Sequence, residues 1–281
     1  MTGTAPVTTT FEEVLGLGDD ALIAAQRLSE WCARAPEMEE DIALANIALD
    51  QLGAARLLLT YAGELEGAGR DEDALAYLRD DREFRNVLLV ELPNGDFAVT
   101  MAKLLFLAAC QVHRYRALAE GPDERLAGIA AKAVKECTYH LEHAALWTVR
   151  LGDGTEESHA RMQRAVDEIW PYTHELCEPV VDPDPRPPFG LAAPGHAGAA
   201  RSDAATAASG DGAVRPTRAD PQLRAAWLAT VEPVLAEATL TIPPDGAYLP
   251  RGGRQGLHTE HLSYLLAEMQ VLHRAHPGAR W

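Results

Sequence analysis

One helical stretch carries residues of the types and spacing that metal chemistry uses. In Lys132–Leu151, KAVKECTYHLEHAALWTVRL, an apolar line runs Ala133, Cys137, His140, Ala144, Trp147, Leu151. Its alternating steps of four and three make one face of a helix. Glu136, His140 and His143 fall on or beside that line, about a turn apart. A carboxylate and two imidazoles aimed into a helical core imply a metal site or the relic of one.

Metal chemistry in a helical bundle has a recognisable donor pattern. A ferritin-like di-iron centre takes a Glu from each of two helices and a Glu-x-x-His pair from each of the other two, because residues three apart share a face. Of the ten histidines, only His159 has a carboxylate three residues before it, Glu156. That pair sits just after Thr155, in a first helical turn, where acidic residues serve the helix dipole. At mid-bundle, Asp50-Gln51-Leu52-Gly53 places Gly where His is needed, and Glu136-Cys137-Thr138-Tyr139 places Tyr there. The intervening helix offers Ala108, Ala109, Cys110, Gln111 and His113, with no carboxylate. Glu30 is either a surviving ligand or a surface residue. The expectation is a bundle without an intact di-iron site, in which Glu136 and His140 bond to each other or His140 bonds across to Asp50. The alternative is an irregular site built from Glu30, Asp50, Glu136, His140 and His143, which would make the chain a stand-alone di-iron oxidase.

Two further clusters could carry chemistry. His258-Thr259-Glu260-His261 opens a helix; it reads as capping and inter-helix hydrogen bonding, with zinc binding as the other possibility. Arg79, Arg82 and Arg85 are the densest basic feature. They form either a solvated face paired to Asp80, Asp81 and Glu83, or a handle for a phosphorylated ligand or acidic partner. GxSxG, GxxxxGK[ST] and GxGxxG are all absent.

The elements that must position these residues read as helices throughout. Asp19 and Asp20 are expected to open the first helix, at 19–35, with Ala21, Ala25, Leu28 and Cys32 on one face. A second helix, 37–65, carries a clean stripe of Met38, Ile42, Ala45, Leu49, Leu52 and Leu59, and its Gly53 suggests close packing of a neighbour. Helices at 96–119 and 123–151 follow; a fifth runs from Thr155 to about Cys177, and two more span Pro221 to about Leu240, with a kink expected at Pro233, and His258 to about His273. The reading is all-α: a four-helix bundle with additional C-terminal helices. Residues 1–13 read as a frayed tail and 14–281 as one domain. Residues 183–219 read as a disordered insertion, since prolines crowd there and large apolar residues nearly vanish.

The bulk properties narrow the class. Apolar residues make up 47% of the 281 and charged residues 24%, as in globular domains, and the net charge of −17 disfavours a nucleic-acid partner. The four cysteines, Cys32, Cys110, Cys137 and Cys177, show no CxxC spacing and read as reduced core thiols of a cytoplasmic protein. No uninterrupted apolar run reaches the roughly 18 residues of a membrane span, and the N-terminal stretch lacks a signal-peptide pattern.

Several long blocks then agree, in order, with one family. LSEWCARAPEMEEDIALANIALDQLGAARLLLTYAGEL, VELPNGDFAVT, AKAVKECTYHLEHAALWTVRLGDGT and GLHTEHLSYLLAEMQVLHR resemble the PaaC-type subunits of phenylacetyl-CoA 1,2-epoxidases, over about 14–182 and 220–281. The 183–219 insertion departs from the pattern. The resemblance implies a ferritin-like subunit without metal ligands that pairs with a paralogous di-iron catalytic subunit. The whole complex would epoxidise phenylacetyl-CoA with dioxygen and NADPH electrons, delivered through the flavin and iron–sulfur groups of a reductase subunit. It also implies that part of the CoA ester lies against this chain, at the matching stretch Glu83-Phe84-Arg85-Asn86. A second contact falls at the edge of the insertion and is not carried onto residues here. A helical adaptor unrelated to oxygenases is the remaining alternative.

Overall fold

The computed structural model describes residues 9–181, 219–246 and 248–279. Most of the expected tail and nearly all of the 183–219 insertion lie outside the described residues. Every regular element among the described residues is helical. The long ones are α1 (Phe11–Ser29), α2 (Met38–Glu66), α5 (Phe97–Ala119) and α6 (Glu124–Gly152). Between α2 and α5 lie two short helices, α3 (Glu72–Tyr77) and α4 (Leu88–Glu91). After α6 come α7 (Glu156–Ile169), α8 (Thr173–Leu176), α9 (Pro221–Glu237) and α10 (Glu260–Ala275). The fold is all-α and ferritin-like. α1 packs along α2, α5 packs along α6, and the two hairpins meet with α2 against α6. α7 and α9 cover the far side of α5, while α10 rests on α3 and α4.

The helix termini follow local chemistry. Thr10 caps α1 by accepting from the Glu13 amide at 3.2 Å, and Asp96 caps α5 by accepting from the Val99 amide at 3.1 Å. Thr155 and Ser158 cap α7 reciprocally. The fifth long helix ends at Ile169 rather than near Cys177: Pro171 lacks an amide hydrogen, and the chain tightens into a 3₁₀ turn over Trp170–Tyr172 before α8.

Three expectations about the core are corrected. Asp19 and Asp20 do not open α1, which begins at Phe11, inside the stretch read as a tail; both aspartates sit mid-helix and are buried. On α2, Met38, Ile42, Leu49 and Leu52 are 72, 57, 64 and 47% exposed. The buried face is instead Leu44, Ile47, Ala48, Gln51, Ala54, Ala55, Leu58, Leu59 and Ala62, so of the expected stripe Leu59 alone faces the core. A helix apolar on both sides gives no contrast from which periodicity could choose the inner one. For the same reason α2 is long and apolar enough, by length and composition, to cross a membrane, although its inner face is buried in the bundle. The third correction concerns two small residues. Gly53 meets no close neighbour, with only Lys132 Nζ within 4.0 Å of a Cβ placed there, whereas at Gly63 a Cβ would collide with the Arg70 carbonyl. Cys32 is exposed, while the other three cysteines are buried as expected.

Candidate functional site

At the centre of the bundle, where a metal pair would lie, α2 and α5 bring two side-chain amides together beside Cys137 and His140 of α6. Gln51 and Gln111 bond reciprocally: Gln51 Nε2 donates to Gln111 Oε1 at 2.9 Å, and Gln111 Nε2 donates to Gln51 Oε1 at 3.1 Å. The second hydrogen of Gln51 Nε2 faces His140 Nδ1 at 3.5 Å. This orders the His140 tautomer, with Nε2–H donating to Asp50 Oδ2 at 3.1 Å. Burial lowers the His140 pKa, with the Asp50 carboxylate opposing in part, so the ring stays neutral. Cys137 Sγ donates to Gln111 Oε1 at 3.5 Å, and burial raises its pKa, which keeps it a thiol.

This donor set does not fit a di-iron centre. Carboxylates hold such iron pairs; here the central oxygens are neutral, and each already accepts a hydrogen bond from the other amide's nitrogen. Among the described residues, no group of three or more His, Cys, Asp or Glu converges on a point. The irregular set of Glu30, Asp50, Glu136, His140 and His143 is not assembled either; only Asp50 and His140 meet. Glu136 pairs with Lys132 at 2.6 Å rather than with His140. Glu30 pairs with Arg27 at 2.6 Å at the end of α1. His143 Nε2 lies 3.1 Å from Glu40 Oε2. His159 gives Nδ1–H to the Gly152 carbonyl at 2.6 Å, an anchor between α6 and α7.

On the solvent side, α2 exposes Met38, Ile42, Leu49 and Leu52, and α6 exposes Tyr139 and Leu146. Tyr139 stacks on His143, which reaches Glu40 of α2, so the two helices present one surface. An exposed apolar helix face of this kind is the usual mark of a protein partner. The sequence pattern found the stripe and assigned it to the wrong side.

The arginine row divides three ways. Arg79 is buried and clamps Asp19 with both terminal nitrogens, at 3.0 and 2.5 Å, instead of pairing with Asp80 or Asp81 on a solvated face. Its guanidinium lies 4.1 Å over the Phe84 ring. Arg82 is exposed. Arg85 is half-buried, and its Nη1 donates to the Arg82 and Phe84 carbonyls at 2.7 Å each. Within Glu83–Asn86, therefore, Phe84 and Asn86 face the interior, while Glu83 and Arg85 reach solvent.

The loop that follows is tied to the far end of the chain by a carboxylate that sequence reasoning did not single out. Glu91 is fully buried. Its Oε2 accepts from Asn86 Nδ2 at 2.9 Å and from His258 Nδ1 at 2.7 Å, and its Oε1 accepts the Thr259 amide at 2.6 Å. His258 gives its other nitrogen to the Phe84 carbonyl at 3.0 Å. The His258 cluster thus caps α10 and joins it to the loop, although the capping oxygen is Glu91 rather than Thr259. Burial alone would lower the His258 pKa; the hydrogen bond and charge of Glu91, with the Phe84 carbonyl, outweigh it and raise the value. Lys103 is buried on α5, holds the Leu92 carbonyl, and is pushed down by burial to about 7.

Comparison with known proteins agrees with this architecture. The family described as phenylacetic acid catabolic protein matches residues 2–281. A curated relative from Escherichia coli (strain K12), one of the subunits of 1,2-phenylacetyl-CoA epoxidase, is 47% identical over 268 residues. The match covers 95% of this chain and 97% of the relative.

Proposed function

The chain belongs to the phenylacetic acid catabolic protein family, and from that premise we propose that it is a non-catalytic structural subunit of a multicomponent phenylacetyl-CoA epoxidase. Its partner is a paralogous di-iron catalytic subunit, and a reductase carrying flavin and iron–sulfur groups supplies NADPH electrons to that partner. The observation that carries this reading is the pairing of two features on one hairpin-to-hairpin contact. The interior of the bundle has the reciprocal Gln51–Gln111 pair in place of ligands. Directly outside it, α2 turns Met38, Ile42, Leu49 and Leu52 to solvent. A chain that kept the bundle without carboxylates at its centre, and that carries an apolar outer seam, is suited to support another bundle.

The stretch Glu83–Asn86 completes the proposal as the place where the CoA ester touches this protein. Arg85, with Arg82 beside it, supplies cationic groups suited to phosphate, and the buried Phe84 and Asn86 hold the backbone that carries them. The test is co-expression with the neighbouring subunits followed by pull-down through a tag on this chain. Stable recovery of the catalytic subunit, and its loss of solubility when this chain is omitted, are the expected results. A catalytic subunit that is soluble, isolated alone and fully active would overturn the scaffold role.

A further inference from the structure

We propose that Asp19 and Asp20 of α1 are positioning residues for thioester binding, fixing the backbone that presents Arg85; this rests on the docking role proposed above for Glu83–Asn86. The two aspartates are consecutive, lie mid-helix and are buried. Asp19 Oδ2 accepts the Arg85 amide at 2.8 Å, and Asp20 Oδ1 accepts the Val87 amide at 2.8 Å. They therefore straddle Asn86 from beneath. Arg254 binds Asp20 through Nη2 at 2.6 Å and reaches up to the Arg85 carbonyl through Nη1 at 2.7 Å. Arg79, clamped on Asp19, donates to the Glu83 carbonyl at 3.0 Å.

Glu175 extends the same device. It is buried, and its Oε2 accepts the Leu88 amide at 2.6 Å. Its Oε1 accepts the amides of Gly252 and Gly253 at 2.9 and 2.8 Å. A Cβ at Gly253 would collide with the Asn86 carbonyl, so the loop is also pressed from the side. The polar backbone of a short irregular loop thus ends on three buried carboxylates and two buried guanidiniums contributed by α1, α8 and the segments before α4 and α10.

An ordinary surface loop satisfies its backbone with turns and water. Burying carboxylates is unfavourable even when they are paired, so five buried charges around a few residues are far more than closing a loop requires. What they provide is a backbone already in one conformation before a ligand arrives, which removes an ordering cost from binding.

The test uses the assembled epoxidase complex. Asp19→Asn removes the charge and turns an NH2 group against either the Arg85 amide or an Arg79 nitrogen, so the two can no longer be held together. Loosening the loop should raise KM for phenylacetyl-CoA about tenfold with kcat little changed. Arg85→Ala, measured alongside, tests the docking role itself. If Arg85→Ala raises KM and an assembled Asp19→Asn complex does not, positioning is overturned and docking stands. If neither raises KM, both fall. Should Asp19→Asn fail to assemble, hydrogen exchange on the wild-type complex decides. The Arg85 and Val87 amides should be protected before any thioester is added. Fast exchange that becomes slow only on adding the thioester would show a loop ordered by its ligand, and would overturn the proposal.

Discussion

Replacing Leu49 should break the assembly without harming the fold. Leu49 sits midway along the outward stripe of α2 and keeps 64% of its surface in solvent. Full burial of a leucine side chain is worth about 1.5–3 kcal/mol, so covering the exposed part contributes about 1–2 kcal/mol to pairing. Leu49→Ala should therefore weaken binding of the catalytic subunit by about five- to thirtyfold. Leu49→Asp adds an unpaired carboxylate to a seam that must shed water, a further penalty of a few kcal/mol, and should weaken binding more than a hundredfold. The side chain touches solvent in the isolated chain, so the melting temperature of that chain should move little in either variant. Competition between the tagged parent chain and each variant for co-expressed catalytic subunit, read by pull-down, measures the effect, with thermal melts of this chain alone as the control. If Leu49→Asp folds normally and binds as tightly as the parent, the partner lies elsewhere and the assignment of this face is wrong.

Other consequences concern the interior. Gln111→Leu strands the Gln51 amide and should destabilise the chain by about 1–3 kcal/mol, while Gln51→Leu with Gln111→Leu should recover part of that; strictly additive losses in chemical denaturation would contradict a reciprocal pair. The His258–Glu91 contact should make stability depend on pH. The His258 pKa is raised in the folded chain, so its contribution is full below the ordinary value of about 6.5 and is lost as pH rises through the folded value. As pH rises above the ordinary imidazole value, His258→Gln should therefore lose less stability than the parent; identical slopes in the two melting series would refute this.

How much of this was visible in the sequence depends on contrast and on range. α6 is amphipathic, and Ala133, Cys137, His140 and Ala144 are buried as their spacing indicates. α2 is apolar on both faces, so its cleanest stripe could equally face the core or a partner, and the structure shows it facing out. Tandem acids commonly begin helices, which made Asp19-Asp20 look like a start. The local signal against that reading was present: Thr10-x-x-Glu13 is a capping pattern, and Val14, Leu17, Ala21, Ala25 and Leu28 continue one apolar face through the aspartates. Their partners were beyond local reading, since Arg79 and Arg254 lie 60 and 234 residues away. At the bundle centre, the missing Glu-x-x-His pairs were legible. The occupant was not, because Asp50 drew attention as the charged residue while its neutral neighbour Gln51 points inward.

The claim on which the rest depends is that this bundle supports a metal centre it does not itself build. Elemental analysis of the chain purified under conditions that load the catalytic subunit with iron, and again after the two are co-purified and separated, addresses it directly. The expected result is iron that follows the catalytic subunit, with no stoichiometric metal on this chain. A pair of irons retained by this chain on its own would contradict it.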